Sequence, residues 1–138
     1  LMKRCAATDA SDSGVVERVD LYEKIRAELL AHATAEEEVF YSALEQIPET
    51  KEIALACREQ HDRIERILME LDSLAPNEPA WIERFQALVN DVDGHVHYEE
   101  NDLFPVAERV VGKQQAKVID ERYHARKSRH MESLFPAQ

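Results

Sequence analysis

The sequence predicts an all-α protein, and three observations support this fold class. Only three glycines and five prolines interrupt the 138 residues, and aromatic residues make up 7% of them. Apolar residues recur at steps of three and four over long stretches, which is the spacing of one face of a helix. The length suits a single domain with its own core. No run of about 18 apolar residues occurs, so no transmembrane helix is expected.

The spacing predicts five helical segments. Residues 1–7 form the end of a first helix, and the polar loop "TDASDSG" follows it. Pro48 ends the second helix or begins the next turn, Pro79 suits a first helical turn, and Gly112 suits a helix stop. The remaining helices are therefore predicted over about residues 15–47, about 50–74, about 79–111 and, as a short last helix, about 113–132.

The charge of the chain narrows the choice of partners. The formal net charge is −11, which disfavours nucleic acids and anionic membranes because phosphate binding needs a basic surface. Cations are better partners. Cys5 and Cys57 form no CxxC pair, and no secretory signal is visible, so we predict reduced thiols in a cytoplasmic protein.

The strongest chemical signal is a repeated His-x-x-x-Glu pair. "HATAEEEVFYSAL" begins at His32, and "HVHYEENDLFPVA" begins at His95, 63 residues later. Residues i and i+4 of a helix share one face, so His32 lies beside Glu36 and His95 beside Glu99. Imidazole combined with carboxylate is a ligand set typical of iron or manganese. The repeat therefore predicts a metal site between two helices.

His61 is a candidate third histidine ligand. It lies in the apolar stripe of its own predicted helix, where an unpaired polar ring would be costly. On its own it is better interpreted as a core histidine bonded to a carboxylate. Beside two inward-facing His-Glu pairs, a ligand becomes the better interpretation. Glu65, four residues later and flanked by Arg63 and Arg66, is predicted to lie on the surface.

These motifs, including the "LFP" that follows the second pair, resemble the hemerythrin-like, or HHE cation-binding, family over about residues 1–111. The resemblance implies an up-and-down four-helix bundle around two non-haem iron ions, with manganese as the alternative and no organic cofactor. It implies that Glu36 and Glu99 bridge the metals, and that His32, His61 and His95 are terminal ligands. Residues 112–138 would form an additional C-terminal helix and tail.

One departure from the family pattern concerns the first helix. The family has a further histidine ligand there, whereas no histidine precedes His32 in this chain. We therefore expect the first helix to be truncated. Residues upstream of Leu1 carry the missing histidine, or a second chain covers the gap in a homo-oligomer. The alternative is a protein that lacks this ligand, with one metal under-coordinated or absent.

Residues near the predicted ligands are candidates for supporting roles. Two carboxylates one position beyond the ligands could tune the site, and an aliphatic residue one turn before each HxxxE histidine could line a ligand pocket. Cys57 is more typical of a small core residue than of a ligand. His97, His124 and His130 are predicted on the surface. The supporting candidates are Glu37, Glu100, Leu29, Val92 and Cys57.

The predicted function is the binding or sensing of dioxygen, or of a related species such as nitric oxide or peroxide, at the di-iron centre. An apolar lining would admit a small gas and exclude water. Two alternatives stay open. One is a di-iron oxidase or peroxidase-type enzyme, and the other is an iron storage or delivery protein. We expect a binding protein rather than an enzyme.

Overall fold

The computed structural model describes the backbone of residues 1–134 and the side chains of residues 1–131, and this part of the chain is helical without strands. The predicted all-α fold is confirmed. Two long helices each contain a wider π-helical segment. The elements are α1 (Met2–Ala6), α2 (Asp12–Ala35), π1 (Glu36–Tyr41), α3 (Ser42–Leu44), α4 (Pro48–Ser73), α5 (Pro79–Tyr98), π2 (Glu99–Leu103), α6 (Phe104–Val111) and α7 (Lys113–Leu134). No helix among the described residues is both long and apolar enough to span a membrane.

Local sequence explains the boundaries of these helices. Ser11 caps α2, because its hydroxyl accepts a hydrogen bond from the Gly14 amide at 3.2 Å. Pro48 and Pro79 are the first residues of α4 and α5, where the missing N–H of proline costs nothing. Gly112 separates α6 from α7 with a φ of 84°, which a residue with a side chain rarely adopts. With Ser11 as its N-cap, helix α2 begins at Asp12, three residues before the predicted start at about residue 15.

The long helices pack as a bundle. Helix α4 lies along α5, and the short loops between α2–π1–α3, α4 and α5 make successive helices antiparallel. Helix α1 contacts both α2 and α5. Helix α7 packs against α2, π1 and α6. The last helix, predicted over about residues 113–132, spans Lys113–Leu134, and its side chains Ile119 and Tyr123 are buried. The end of the predicted tail, residues 135–138, lies outside the described residues.

The apolar core has two main parts along the bundle. One is built around Trp81, which stacks on Phe85 with ring centroids 5.2 Å apart and is met edge-on by Tyr22. The other contains Tyr41, Leu103 and smaller residues of α3, α4 and α6. In each long helix the candidate ligands fall between these two clusters in sequence. The bundle therefore carries its polar centre between two apolar layers.

Arg18 is a buried cation that joins the two loops at one end of the bundle. Its Nε and Nη2 donate hydrogen bonds to the hydroxyl and carbonyl oxygens of Thr8, each at 2.8 Å, and its Nη1 donates to the Pro76 carbonyl. Its guanidinium also lies over the Trp81 ring, 5.3 Å from the centroid. These contacts satisfy a charge that would otherwise be costly to bury.

Candidate metal centre

Four side chains from four elements converge inside the bundle. His32 of α2, Glu36 of π1, His61 of α4 and His95 of α5 each present one potential ligand atom, and these atoms lie within 4.8 Å of one another. Glu99 of π2 joins them, because its Oε1 is 2.7 Å from His95 Nε2 and 4.0 Å from His32 Nε2. The structure thus brings together all five side chains that the sequence predicts as ligands.

Both glutamates occupy equivalent backbone positions. Glu36 is the first residue of π1 and Glu99 is the first residue of π2, and each follows its histidine on a regular α-helix. The 63-residue repeat in the sequence is therefore also a repeat in backbone geometry. Short π-helical segments inside α-helices occur frequently at functional sites.

The three imidazoles point the same nitrogen inward. Their Nε2 atoms face Glu36 Oε1, at 3.3 Å for His61 and 3.6 Å for His95, and His32 Nε2 is in direct contact with the same oxygen. The His61 and His95 Nε2 atoms are 2.9 Å apart. One carboxylate oxygen is therefore the meeting point of ligands from three helices.

Each outward-facing Nδ1 has its own oxygen partner. His61 Nδ1 lies 3.2 Å from Glu37 Oε1, and His95 Nδ1 lies 2.7 Å from Gln60 Oε1. His32 Nδ1 contacts the hydroxyl of Tyr123. Oxygen acceptors at Nδ1 favour the tautomer that carries its proton there, which leaves the Nε2 lone pair free toward the centre.

Tyr41 adds a hydroxyl group to the inner wall of the centre. Its side chain is fully buried, and its oxygen lies 3.2 Å from His61 Nε2, 3.4 Å from His95 Nε2 and 3.5 Å from Glu99 Oε2. Burial and the two nearby carboxylates raise the pKa of Tyr41 far above its usual range. The group is therefore a neutral phenol in the metal-free protein.

The carboxylates and imidazoles of the centre shift one another's pKa values. Burial alone would raise the pKa of Glu36, but the imidazoles of His32, His61 and His95 around the carboxylate hold it well below its ordinary value. Burial, with Glu36 beside it, raises the pKa of Glu99 to about 7. Burial lowers the pKa of an imidazole, but the two carboxylates outweigh it and raise the pKa of His95 to about 9. The metal-free centre thus holds protons near neutral pH.

The family assignment follows from comparison of the whole sequence. The model of the hemerythrin HHE cation-binding domain matches residues 1–107. The chain belongs to the hemerythrin HHE cation-binding family. The family model ends within α6, so α7 lies beyond the matched segment. The resemblance inferred from the paired HxxxE motifs is confirmed.

A curated relative extends the comparison. The chain is similar to a protein named DNA nickase from Nostoc sp. strain PCC 7120, with 26% identity over 118 residues. The similarity covers 83% of this chain and 32% of the relative, so the chain spans about a third of that protein's length. No solved structure matches the chain.

The cluster of this hemerythrin domain fits a cation. Glu36 Oε1 is fully buried and forms no hydrogen bond of good geometry, although three Nε2 atoms surround it. A buried charged oxygen without such a bond is costly in a folded protein. A metal ion among the nitrogens and the two carboxylates would satisfy this oxygen. The donor set of three imidazoles and two carboxylates is suited to iron or manganese.

A pocket of about 370 Å³ opens beside the centre. His32, His61 and His95 contribute to its lining. Leu29 and Val92, which were predicted to line a pocket, both do so. The charged residues Glu28, Glu65 and Lys127 also border it, and Glu65 is exposed as predicted. The remaining apolar walls come from α2, α4 and α5 and include Leu30, Ile64, Leu68 and Val96.

Of the other predicted residues, Glu37 and Cys57 contact residues of the centre, whereas Glu100 and His97 are exposed. Glu37 contacts His61, and buried Cys57 lies against the Tyr41 hydroxyl. Burial, with the nearby carboxylates of Glu99 and Glu36, raises the pKa of the Cys57 thiol to about 12, although its hydrogen bond with Tyr41 acts in the opposite direction. The structure does not bring Glu100 to the cluster, because this residue is on the exposed side of π2. His97 is exposed on α5, as predicted from its position two residues after His95.

Sequence reasoning missed three side chains that contact the ligands. Gln60 directly precedes His61 on α4, yet it supports His95 on the neighbouring helix. Tyr41 reaches the centre only because π1 widens the helix, and Tyr123 comes from α7. The aromatic residues after both HxxxE motifs were a visible signal, whereas nothing in the sequence pairs Tyr123 with His32.

Proposed function

We propose that the protein holds a non-haem iron centre of two ions and uses it to bind or sense dioxygen or a related small species, such as nitric oxide or peroxide. The observation that carries this proposal is the convergence of three imidazole Nε2 atoms and two carboxylates at an apolar pocket. Manganese is the alternative metal, because it accepts the same nitrogen and oxygen donors.

The number of protein ligands supports an open position for a small molecule. Five side chains would supply the donors, and two of them are carboxylates. Two ions sharing three imidazoles would keep coordination positions that the described residues do not fill. Bound iron(II) would supply the electrons for reversible binding of an oxidising ligand. The chain's own residues would bind the ions, orient them and limit access of water.

The walls of the pocket also support the binding of a small uncharged molecule. Leu29, Ile64 and Val92 present aliphatic surface next to the ligand imidazoles. Apolar walls favour an uncharged diatomic molecule over water and ions, and a dry site strengthens every polar interaction within it. Ligand identity would then depend on size and polarity rather than on charge.

Tyr41 favours a peroxidase-type or oxidase-type enzyme as the second candidate. Its hydroxyl oxygen lies at the inward face of the centre, 3.2 Å from His61 Nε2. A neutral hydroxyl at that position could donate a proton to a reduced oxygen species. Storage or delivery of iron is a weaker alternative, since four of the five ligands are buried between two apolar core clusters. Nicking of DNA, the activity in the Nostoc relative's name, is not proposed, because a net charge of −11 disfavours a polyanionic partner.

Metal content combined with an optical spectrum tests the proposal. The protein is loaded anaerobically with iron(II), its iron is counted per chain, and the spectrum is recorded before and after exposure to dioxygen. Two irons and a new absorption band that disappears when dioxygen is removed are expected. Steady turnover of peroxide without a stable band would instead favour the enzyme. Iron that is lost on gel filtration, with no band, would contradict the binding proposal.

A further inference from the structure

The C-terminal helix contributes to the centre from outside the segment that matches the family model. Tyr123 of α7 is 8% exposed and lies edge-on to the His32 ring, with centroids 5.7 Å apart and an interplanar angle of 87°. Its ring also packs against Phe40 at 5.6 Å. Ile119, one turn earlier, is buried against Ala35 and Val39 on the same side of the bundle. The Tyr123 hydroxyl is thereby held against His32 Nδ1.

We propose that Tyr123 is a positioning residue for the metal centre. Its hydroxyl oxygen accepts the Nδ1 proton of His32, which keeps that ring in the orientation with Nε2 toward Glu36. This inference rests on the proposed metal-binding function of the same site. It extends the site to a helix beyond residues 1–107, the segment that the family model describes.

His32 needs such a partner more than the other two imidazoles do. Its side chain is 34% exposed, whereas His61 and His95 are only 4% and 3% exposed. Core packing therefore restrains His61 and His95 tightly, and each also has its own Nδ1 partner in Glu37 or Gln60. A half-exposed ring without a partner can rotate and turn its other nitrogen to the centre. Hydrogen bonds to the outer nitrogen of a metal-bound histidine remove that freedom.

Charge complementarity holds α7 in place for this role. Lys127 Nζ lies 3.2 Å from Glu28 Oε1, and Arg126 Nη1 lies 3.3 Å from Glu38 Oε2. His130 Nε2 lies 3.4 Å from the Glu38 carboxylate. These groups are partly exposed, so each pair is weak. The buried side chains Ile119 and Tyr123 supply the larger part of the contact, and the ion pairs orient the helix.

The test compares Tyr123→Phe with Tyr22→Phe in the full chain. Both variants keep the ring and lose a bonded hydroxyl, since Tyr22 Oη lies 2.8 Å from Asp72 Oδ1 and 3.1 Å from the Leu68 carbonyl. Tyr22 precedes His32 by ten residues, which is about 15 Å along the helix. Cobalt(II) affinity is measured by titration of its visible absorption. The exchange of the His32 Nδ1 proton with water is measured by NMR in the zinc-loaded protein.

Tyr123→Phe is expected to weaken cobalt(II) binding by about 10–100-fold, the usual effect of losing the partner of a ligand histidine. It is also expected to accelerate exchange of the His32 Nδ1 proton. Tyr22→Phe is expected to lower the melting temperature and leave both metal measurements unchanged. Unchanged affinity and exchange in Tyr123→Phe would overturn the inference alone. A parent protein that binds no metal would overturn the proposed function as well. A phenolate-to-iron(III) charge-transfer band that only Tyr123→Phe abolishes would also overturn the positioning role of Tyr123, because the Tyr123 oxygen would then be a metal ligand.

Discussion

At the scale of single residues, Glu36 is a buried carboxylate surrounded by three imidazoles. It is 1% exposed, and its Oε1 faces the Nε2 atoms of three histidines from three helices. The surrounding imidazoles keep its carboxyl group ionised, as the lowered pKa of Glu36 indicates. A buried anion in such a setting requires positive charge nearby, either protons on the histidines or a metal ion.

Glu36→Gln tests this position, because it keeps the size of the side chain and removes the charge. We expect at least a roughly 100-fold loss of iron(II) affinity, since a central ligand should matter no less than an outer partner of a ligand. Glu100→Gln is the matched control, because Glu100 is exposed one position after the equivalent Glu99. Isothermal titration under anaerobic conditions measures both. Equal affinity in the two variants would contradict the role of Glu36.

At the scale of elements, the π segments decide which side chains reach the centre. Five residues along a regular α-helix differ in direction by about 140°, so Glu36 and Tyr41 could not both face inward. The wider turn of π1 brings them to one face, and both are almost fully buried. The Glu37 carbonyl accepts hydrogen bonds from Ser42 Oγ at 2.7 Å and Arg58 Nη2 at 3.2 Å, which satisfies the widened turn. In α6, Pro105 follows π2 and lacks the N–H that an α-helical bond to Asn101 would need.

The turn between α6 and α7 gives a prediction at the same scale. Gly112 has a φ of 84°, and a Cβ there would meet no atom within 4 Å, so Gly112→Ala introduces backbone strain alone. We expect a loss of about 1–3 kcal/mol in the free energy of unfolding. Gly94→Ala is the control, since Gly94 is helical with equally open surroundings, and it should stabilise by about 0.4–1 kcal/mol. Urea denaturation of the metal-free proteins measures both. Effects of the same sign would contradict this account of Gly112.

At the scale of the whole molecule, the centre couples folding to pH. The pKa of His95 rises from 6.5 to about 9, so its contribution to stability is complete below pH 6.5 and is lost as the pH rises through 9. The pKa of Glu99 rises from 4.5 to about 7, so its contribution is complete below pH 4.5 and is lost as the pH rises from 4.5 through 7. The lowered pKa of Glu36 stabilises the fold above pH 4.5. The metal-free protein should therefore be most stable near pH 4.5 and lose stability as the pH rises toward 9.

Thermal denaturation between pH 5 and pH 9, with and without a chelator, checks this coupling. The melting temperature of the chelated protein should fall toward pH 9, because the folded state must release protons that it binds better than the unfolded chain does. The iron-loaded protein should show the opposite trend, because a metal competes with those protons and binds only the folded state. A melting temperature that does not respond to verified metal removal would contradict an internal site.

The helices and the five converging ligand candidates of this protein could be predicted from local sequence. Helical spacing is local, so the pairs His32–Glu36 and His95–Glu99 follow from a distance of four residues, and the apolar stripe around His61 orients that residue. The all-α fold and the family follow from the same periodic pattern and repeated motif. Such features need no knowledge of which helix lies beside which.

The side chains that support those ligands could be identified only from the packing of the helices. Tyr123 meets His32 across 91 residues of chain, and Gln60 serves His95 on a neighbouring helix rather than its own. Tyr41 faces inward because π1 departs from the regular helical period on which the sequence argument depends. These contacts arise from helix packing and from a local change of helical pitch, and neither leaves a periodic trace in the sequence.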